Sequence, residues 1–168
     1  TRLWEHPSQV GPTCDPGPRV DCGDRSFALP WYKDLDARGM SAHGSSPNLK
    51  LTRVDFQGAD LSESHLRMST VAESDLRDVQ LVRSSLYMVT FRHVDLRRAS
   101  FANAFLVDAR FLAKTRLNRA DFRGADLRGA VFGGGSDISG ARVNPRTLDA
   151  AGREFFRACL PSGQCPGG

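Results

Sequence analysis

Aspartates recur at intervals that could place several carboxylates side by side. Asp55, Asp75 and Asp95 stand twenty residues apart. Two carboxylates held close together can share general acid and general base work, and a group of them can hold a metal ion. Arg77 and Arg97 follow the second and third aspartates after two positions, however. We therefore interpret the column as a solvated ladder of Asp/Arg pairs on the surface.

The histidines and the known catalytic motifs give no sign of an active site. The four histidines are His6, His43, His65 and His93. We expect His65 and His93 to face outward on different sides of the fold, so they cannot form a pair. The stretch FGGGS at 132–136 lacks the lysine of a phosphate-binding loop, and neither GxSxG nor HExxH occurs. The sequence therefore predicts no enzyme, no metal site and no cofactor.

Four cysteines lie near the two ends of the chain, at Cys14, Cys22, Cys159 and Cys165. An even number of cysteines in flanks rich in proline and glycine is typical of disulfides in an oxidising compartment, so we expect a secreted or periplasmic protein. Three connectivities are open, of which the local pairs Cys14–Cys22 and Cys159–Cys165 need the least rearrangement of the chain. Free thiols in a cytosolic protein are the alternative, and the spacings disfavour a zinc site because no C-x2-C knuckle is present.

Length and composition are those of one soluble domain. The chain has 168 residues, of which 40% are hydrophobic and 25% charged, and its 16 glycines and 9 prolines concentrate towards the ends. No apolar run is long enough to span a membrane, and no signal peptide is visible. The start at Thr1, without a methionine, suggests a processed or trimmed chain.

The middle of the chain repeats every five residues. Large apolar residues stand on an unbroken grid from Leu51 to Phe111, and the grid resumes at Leu117 after one inserted residue. A period of five fits neither an amphipathic helix nor a pleated strand. The predicted core consists of the grid residues Phe56, Leu61, Leu66, Leu76, Leu81, Leu86, Phe91, Leu96, Phe101, Leu106, Phe111, Phe122 and Leu127.

A second inward position lies two residues before each grid residue and is small or short, as at Ala59, Ser64 and Ala125, with Leu49 as an exception. The other three positions of each unit are mostly polar. Four units would make one square turn of about 20 residues, and such turns would stack at the strand spacing of about 4.8 Å. Large and small inward residues in alternation suit the narrow interior of such a tube. The sequence thus predicts an all-β solenoid.

Units such as GADLR, RADFR and HVDLR resemble the consensus A-(D/N)-L-x-x of the pentapeptide repeat family. The resemblance implies a right-handed quadrilateral parallel β-helix over residues 49–143. Single inserted residues near 114–116 and 133–136 depart from the pattern and imply a bulge or loop at one corner. The best understood members of the family bind DNA gyrase by imitating duplex DNA with an acidic surface, and so protect the enzyme from quinolones.

The segments on either side of the repeat are expected to complete the solenoid. We expect residues 1–48 to form an irregular segment that packs on the solenoid. Aromatic and apolar residues stand among its prolines and glycines, namely Trp4, Phe27, Leu29, Trp31 and Tyr32. Residues 144–168 predict a capping helix and tail. Asn144 would be the N-cap, with Pro145 in the first turn and Pro161 as the stop. A stripe of apolar residues would cover the last turn: Leu148, Ala151, Phe155 and Phe156.

The same placement rule puts five apolar residues on the outside of the fourth side of the tube. These candidate interface residues are Met68, Tyr87, Met88, Phe105 and Val107. A patch of this kind is normally covered. Two covers stay open, namely the aromatic N-terminal segment, which we favour, or a partner protein, including a second copy of the chain in a homodimer.

The charge of the repeat limits the choice of partner. The chain has a net charge of +4, and residues 49–134 carry 14 basic and 10 acidic side chains. Imitation of DNA needs a strongly negative surface, so the gyrase-binding role that the resemblance implies is kept only as the alternative. Direct nucleic-acid binding is disfavoured because aspartates are interleaved with the arginines and no aromatic stacking platform is present. We therefore predict a non-catalytic scaffold that binds another macromolecule, in the first place a protein.

Overall fold

One side of the molecule is a stack of short parallel strands. The computed structural model describes residues 13–133, 135–160 and 162–167. In these ranges six strands form one parallel sheet in chain order. They are β3 (Trp31–Lys33), β4 (Lys50–Thr52), β5 (Thr70–Ala72), β6 (Thr90–Arg92), β7 (Arg110–Leu112) and β8 (Val131–Phe132). Because each strand lies on the next one along the chain, the chain travels once around a tube between them, which gives five turns.

Isolated parallel bridges hold the other three sides of the tube. We call the side with the strands side 1 and number the others in chain order. The bridges between two successive turns join Asp55 to Asp75 on side 2, Asp60 to Gln80 on side 3, and His65 to Ser85 on side 4. The four-sided parallel β-solenoid predicted from the sequence is confirmed.

Phenylalanine rings stack inside the upper half of the tube. All thirteen grid residues predicted for the core are at most 8% exposed. Under side 1, Phe111 stacks on Phe91 with ring centroids 5.2 Å apart and on Phe132 with centroids 4.9 Å apart. Under side 3, Phe101 and Phe122 stack at 5.0 Å. Rings from the two sides meet edge to face, as Phe111 does with Phe101 and Phe122.

The insertion near residues 114–116 forms a bulge at the corner between sides 1 and 2. Strand partners are twenty residues apart from β4 to β7, but Arg110 pairs with Val131, twenty-one residues on. Ala113 and Lys114 both adopt positive φ, at 45° and 57°. Thr115 then takes the buried corner position, and its hydroxyl donates to the Leu112 carbonyl at 2.7 Å. The stacking therefore continues beyond the insertion with a register of twenty-one.

The tube begins before residue 49, which the sequence analysis did not predict. β3 pairs with β4 in parallel, and Asp36 and Ser41 bridge Asp55 and Asp60. Residues 31–48 therefore form a turn of the solenoid rather than an irregular segment. Their register with the next turn is nineteen residues at these points, so the five-residue grid does not extend to them.

The first turn also departs from the repeat because its large and small inward residues are exchanged. Ala37 occupies the position below Phe56, where later turns have leucine, and Met40 lies below Ala59. Ala37 and Met40 are both fully buried. The large and small inward positions have therefore changed places, while the tube is still filled.

Residues 13–28 close the N-terminal end of the tube. β1 (Thr13–Cys14) pairs with β2 (Ser26–Phe27), and a disulfide joins Cys14 to Cys22. The ring of Phe27 is buried and stacks on Phe56 at 6.4 Å, in the space that the small side chain of Ala37 leaves free. Two of the residues expected to pack in the N-terminal segment 1–48, Leu29 and Trp31, are exposed instead. Trp4 lies outside the described residues.

The C-terminal cap consists of three short helices instead of the single one predicted. Asn144 caps a 3-10 helix, Pro145–Thr147, by accepting from the Arg146 N–H at 3.0 Å. The backbone is extended at Leu148, and helix α1 (Ala150–Phe155) begins with Asp149 as its N-cap. A second 3-10 helix, Arg157–Cys159, follows, and Pro161 lies outside the described residues.

A tertiary contact explains why the helix starts at Asp149. The Asp149 carboxylate accepts from the Gly152 N–H at 2.8 Å, as an N-cap does, and from the Gly129 N–H of the last turn at 3.0 Å. Phe156 is fully buried against Phe122, with centroids 6.0 Å apart. Ala151 is exposed, so it does not belong to the packed stripe.

The second disulfide joins Cys159 to Cys165 beside this cap, and both cysteines are buried. The cysteines are thus paired locally at both ends of the tube. In the described ranges, no helix has the length and apolar character needed to cross a bilayer.

The stacked rings should dominate stability. Phe111→Ala removes a fully buried ring between two others, and we expect it to lower the free energy of unfolding by about 3–5 kcal/mol. Phe105→Ala makes the same deletion on the surface, where the side chain is 57% exposed, and should cost less than about 1 kcal/mol. Urea unfolding followed by circular dichroism measures both, and equal losses would contradict the placement of the two rings.

The disulfides can be tested by mass spectrometry. Alkylation of the denatured protein without reductant should modify none of the four cysteines, and alkylation after reduction should modify all four. Digestion without reductant should release Cys14 linked to Cys22 and Cys159 linked to Cys165. A peptide that links the two ends of the chain would contradict the local pairing.

Candidate functional site

The five apolar residues predicted to face outward all lie on side 4. Three successive turns bring them together. The Met68 N–H donates to the Tyr87 carbonyl at 2.8 Å, and the Met88 N–H donates to the Val107 carbonyl at 3.0 Å. Phe105 forms a bridge with Ser85 in the turn below it. We call Met68, Tyr87, Met88, Phe105 and Val107 the apolar wall.

Most of the apolar wall is open to solvent. Phe105 is 57% exposed, Met88 46%, Met68 45% and Tyr87 39%, while Val107 is half-buried. The cover expected from the sequence was the aromatic N-terminal segment. Its described part, residues 13–48, forms the first turn and the end cap of the tube and leaves these side chains exposed. Residues 1–12 lie outside the described residues.

Charged and polar residues surround the apolar wall on the same side. His65 and Arg67 belong to the lowest of the three turns, and both are exposed. In the turn above the wall, Asp126 forms a bridge with Phe105 and pairs with Arg128 at 2.6 Å. The wall is therefore an apolar centre inside a charged rim, which is the usual composition of a protein interface.

Side 2 carries the aspartate column, and arginines occupy its carboxylates. Asp75 pairs with Arg77 at 2.6 Å and Asp95 with Arg97 at 2.7 Å. Partial burial acts to raise the pKa of Asp75, but hydrogen bonds from the Arg77 guanidinium and backbone N–H outweigh it and hold this pKa below its ordinary value. These carboxylates are engaged within the fold. Among the described residues, no three His, Cys, Asp or Glu side chains come together as ligands for a metal ion.

At three corners, arginines pair with a carboxylate in the turn below. Arg53 binds Asp34 at 2.6 Å, Arg83 binds Glu63 at 2.5 Å, and Arg98 binds Asp78 at 2.7 Å. The hydrogen bond from Arg98 lowers the pKa of Asp78. These three corner pairs therefore compensate one another's charges between turns.

The compensation fails in the upper turns of side 2. Four guanidinium groups, from Arg97, Arg98, Arg116 and Arg119, line a cleft of about 360 Å³. We call it the arginine cleft. From the sequence, Arg97 was expected to pair in the Asp/Arg ladder, and the arginines of the repeat were weighed as nucleic-acid contacts. The signal that was missed is the register, since the inserted residue places Arg116 in the column that Asp95 occupies one turn below.

The histidines do not converge. His65 lies on side 4, and His93 lies at the corner that follows side 1. His43 has its Nδ1 at 2.6 Å from the Ser62 carbonyl oxygen and is half-buried. His6 lies outside the described residues.

Comparison with known proteins decides the family. The family model of pentapeptide repeats matches residues 74–111 and 112–142, with eight copies of the repeat. Residues 74–142 are therefore pentapeptide repeats. No similar sequence was found among curated proteins.

Several solved pentapeptide repeat structures are similar. Rfr23 from the cyanobacterium Cyanothece 51142 is 18% identical, with a TM-score of 0.42 over 62% of this chain and 65% of its own. HetL from Nostoc sp. strain PCC 7120, a protein involved in heterocyst differentiation regulation, is 18% identical, with a TM-score of 0.33 over 79% of this chain and 63% of its own. The chain therefore spans slightly less than two thirds of either protein.

A trypsin-treated form of QnrB1, a plasmid-mediated fluoroquinolone resistance protein, is 17% identical, with a TM-score of 0.40 over 85% of this chain and 74% of its own. At these identities and scores, no partner of the three proteins is assigned to this chain.

The Asp/Arg ion pairs lead us to expect that the stability of the fold decreases at acidic pH. Hydrogen bonds from Arg38 lower the pKa of Asp36 to about 2, and arginine partners also lower the pKa values of Asp78 and Asp126. Below an unfolded aspartate pKa of about 3.9, the unfolded chain takes up protons that the folded state does not. The stabilisation is therefore complete above about pH 4 and is lost as the pH falls towards about 2.

Urea midpoints measured between pH 5 and pH 2 test this expectation. The midpoint should fall steadily on acidification, and Asp78→Asn combined with Asp126→Asn should flatten the profile. Asp24→Asn is the control, since Asp24 makes no ion pair in the described part of the chain. A wild-type profile that stays flat down to pH 2 would contradict the prediction.

Proposed function

We propose that this pentapeptide repeat protein is a non-catalytic scaffold that binds another protein through the apolar wall of side 4. The observation that carries the proposal is the exposure of four large apolar side chains, between 39% and 57%, on one side of three adjacent turns. Single exposed apolar residues are common on protein surfaces, but a contiguous group of them marks an interaction site.

The residue types of the wall support a protein partner. Tyrosine, phenylalanine and methionine are enriched in the centres of protein interfaces, and the unbranched methionine side chain adapts to the shape of the partner. Two methionines, Met68 and Met88, occupy corner positions with φ of 58° and 54°, where asparagine or glycine would cost less. Since their side chains are exposed, the fold itself gains little from them.

The backbone under the wall is held by hydrogen bonds to the neighbouring turns, so binding requires little ordering of the chain. Three turns at about 4.8 Å each give a patch roughly 14 Å high. A patch of this size suits one apolar segment of a partner, such as the face of a helix, with polar contacts to the rim.

The non-catalytic part of the proposal rests on the charged groups. Asp75 and Asp95 of side 2 bind the arginines of their own turn, and the histidines of the described residues stand on different sides. The gyrase-binding alternative lacks support, because these arginines neutralise the aspartate column that a DNA mimic would have to present. Two buried disulfides favour a secreted or periplasmic location.

Photo-crosslinking tests the wall. A photoreactive phenylalanine derivative at position 87 should give one defined adduct in an extract of the source organism, and the same derivative at position 102 on side 3 should not. The purified partner should then bind the wild-type chain, and Phe105→Asp should weaken its binding at least about tenfold, because it places a charge in the apolar centre.

Val82→Asp introduces the same charge on side 3 and serves as the matched control for Phe105→Asp. It should leave the affinity for the partner unchanged, and both variants should keep the wild-type melting temperature within a few degrees. Equal weakening by both variants would overturn the assignment to side 4. Adducts between two copies, together with sedimentation that depends on concentration, would assign the wall to a homodimer and exclude a different partner.

A further inference from the structure

The arginine cleft begins where the pairing on side 2 breaks. In two successive turns the sequence Asp-Leu-Arg places an aspartate and its arginine on either side of an inward leucine, as in the pair Asp95–Arg97. The next turn has Arg116 and Asn118 at these two positions. Arg116 reaches Asp95 only at 3.8 Å, and Asp95 already binds Arg97 at 2.7 Å.

A second arginine lacks a partner at the adjoining corner. Asp78, Arg98 and Arg119 stack in one corner column, where the Arg98 N–H donates to the Asn118 carbonyl and the Arg119 N–H to the Ser139 carbonyl. Arg98 uses two nitrogens to bind Asp78, at 2.7 Å each. Arg119 makes no ion pair in the part of the chain that the structure describes, and the corner above it is Gly140, which has no side chain.

One carboxylate, that of Asp137, also lines the cleft. It accepts from the Ser139 N–H at 3.0 Å and from the Ser139 hydroxyl at 2.6 Å, and the Asn118 side chain further lowers its pKa. These donors occupy Asp137, which lies one turn above Arg116 in the same column and makes no ion pair with it within 4 Å. Four guanidinium groups therefore face one carboxylate, and two of the four have no close counter-ion.

Uncompensated like charges in adjacent turns repel, and a bound anion removes the repulsion. We propose that the arginine cleft binds a tetrahedral oxyanion, a phosphate or sulfate group carried as an ester on a small molecule. Guanidinium groups present paired N–H donors that match such oxygens. The donors come from two turns and three columns, so they approach from several directions, as the oxygens of a tetrahedral group require.

The dimensions and lining of the cleft favour an ester over a long polyanion. A volume of about 360 Å³ is in the range of small-ligand sites and exceeds what one oxyanion fills. The site is confined to the turns of Arg97 and Arg116 and the one above them, and Asp137 faces it. A nucleic-acid strand needs a longer basic groove with aromatic platforms, which this cleft does not offer. The site lies on side 2, opposite the apolar wall, so it does not depend on the proposed protein partner.

Titration of the full chain at low ionic strength tests the site, with inorganic phosphate, inorganic sulfate, phenyl phosphate and phenyl sulfate as probes. Calorimetry or amide chemical shifts of Arg116 to Arg119 report binding. At least one ester should bind more tightly than its inorganic ion, and comparison of the phosphate and sulfate probes identifies the group that the cleft prefers. Arg116→Gln combined with Arg119→Asn should weaken this binding at least about tenfold, since two charged donors are lost.

Arg83→Asn is the matched control, because Arg83 has the same corner conformation as Arg119, with φ of 54° and 59°, and lies on side 3. It should change the affinity less than about twofold. Thermal melts should show that both variants fold, and Phe105→Asp should leave anion binding unchanged.

Equal weakening by Arg83→Asn would overturn the proposal, because binding would then follow the net charge alone. The proposal would also fail if none of the four probes bound the wild-type chain more tightly than the double variant. Binding of a single-stranded oligonucleotide with the same dependence on Arg116 and Arg119, without binding of the esters, would assign the cleft to nucleic acid and contradict it as well.

Discussion

Hydrogen bonds between successive turns hold the chain in a corner conformation that it would otherwise avoid. Seventeen non-glycine residues in the described ranges have positive φ, and each costs roughly 1 kcal/mol outside such a context. Corner N–H groups donate to a neighbouring turn, as Met68 does to Tyr87. A corner therefore persists only while the adjacent turn is stacked on it. No single turn is stable alone, and a tube of this kind needs its ends covered.

The same constraint separates the residues that determine the fold from those available for function. Two positions in five must fill the bore, so Phe111 and Ala109 are fixed by the space that their neighbours leave. The three outward positions contribute little to packing, which allows side 4 to carry apolar residues and side 2 to carry arginines on one scaffold. The register also aligns equivalent positions of successive turns. Arg116 therefore lies directly above Asp95 and places a guanidinium group where the lower turns have a carboxylate.

The sequence predicts those parts of the structure that follow from periodicity. Large residues at every fifth position were sufficient to place the bore and the apolar wall. The first turn was not predicted, because Ala37 and Met40 exchange the large and small positions and its register is nineteen residues. The start of α1 was not predicted because it depends on a tertiary contact, that of Asp149 with Gly129. The arginine cleft was not predicted. Its arginines lack carboxylate partners, and this becomes evident only when the side chains of neighbouring turns are compared.

The closed ends of the tube restrict how it can bind. Phe27 fills the bore at one end and Phe156 at the other, and a disulfide lies beside each of them. Both disulfides close short loops within a cap, so they protect the two places where a turn has a neighbour on one side only. Both proposed binding surfaces accordingly lie on the sides of the tube and not at its ends. Our two proposals use side 2, through arginines without a close counter-ion, and side 4, through exposed apolar groups.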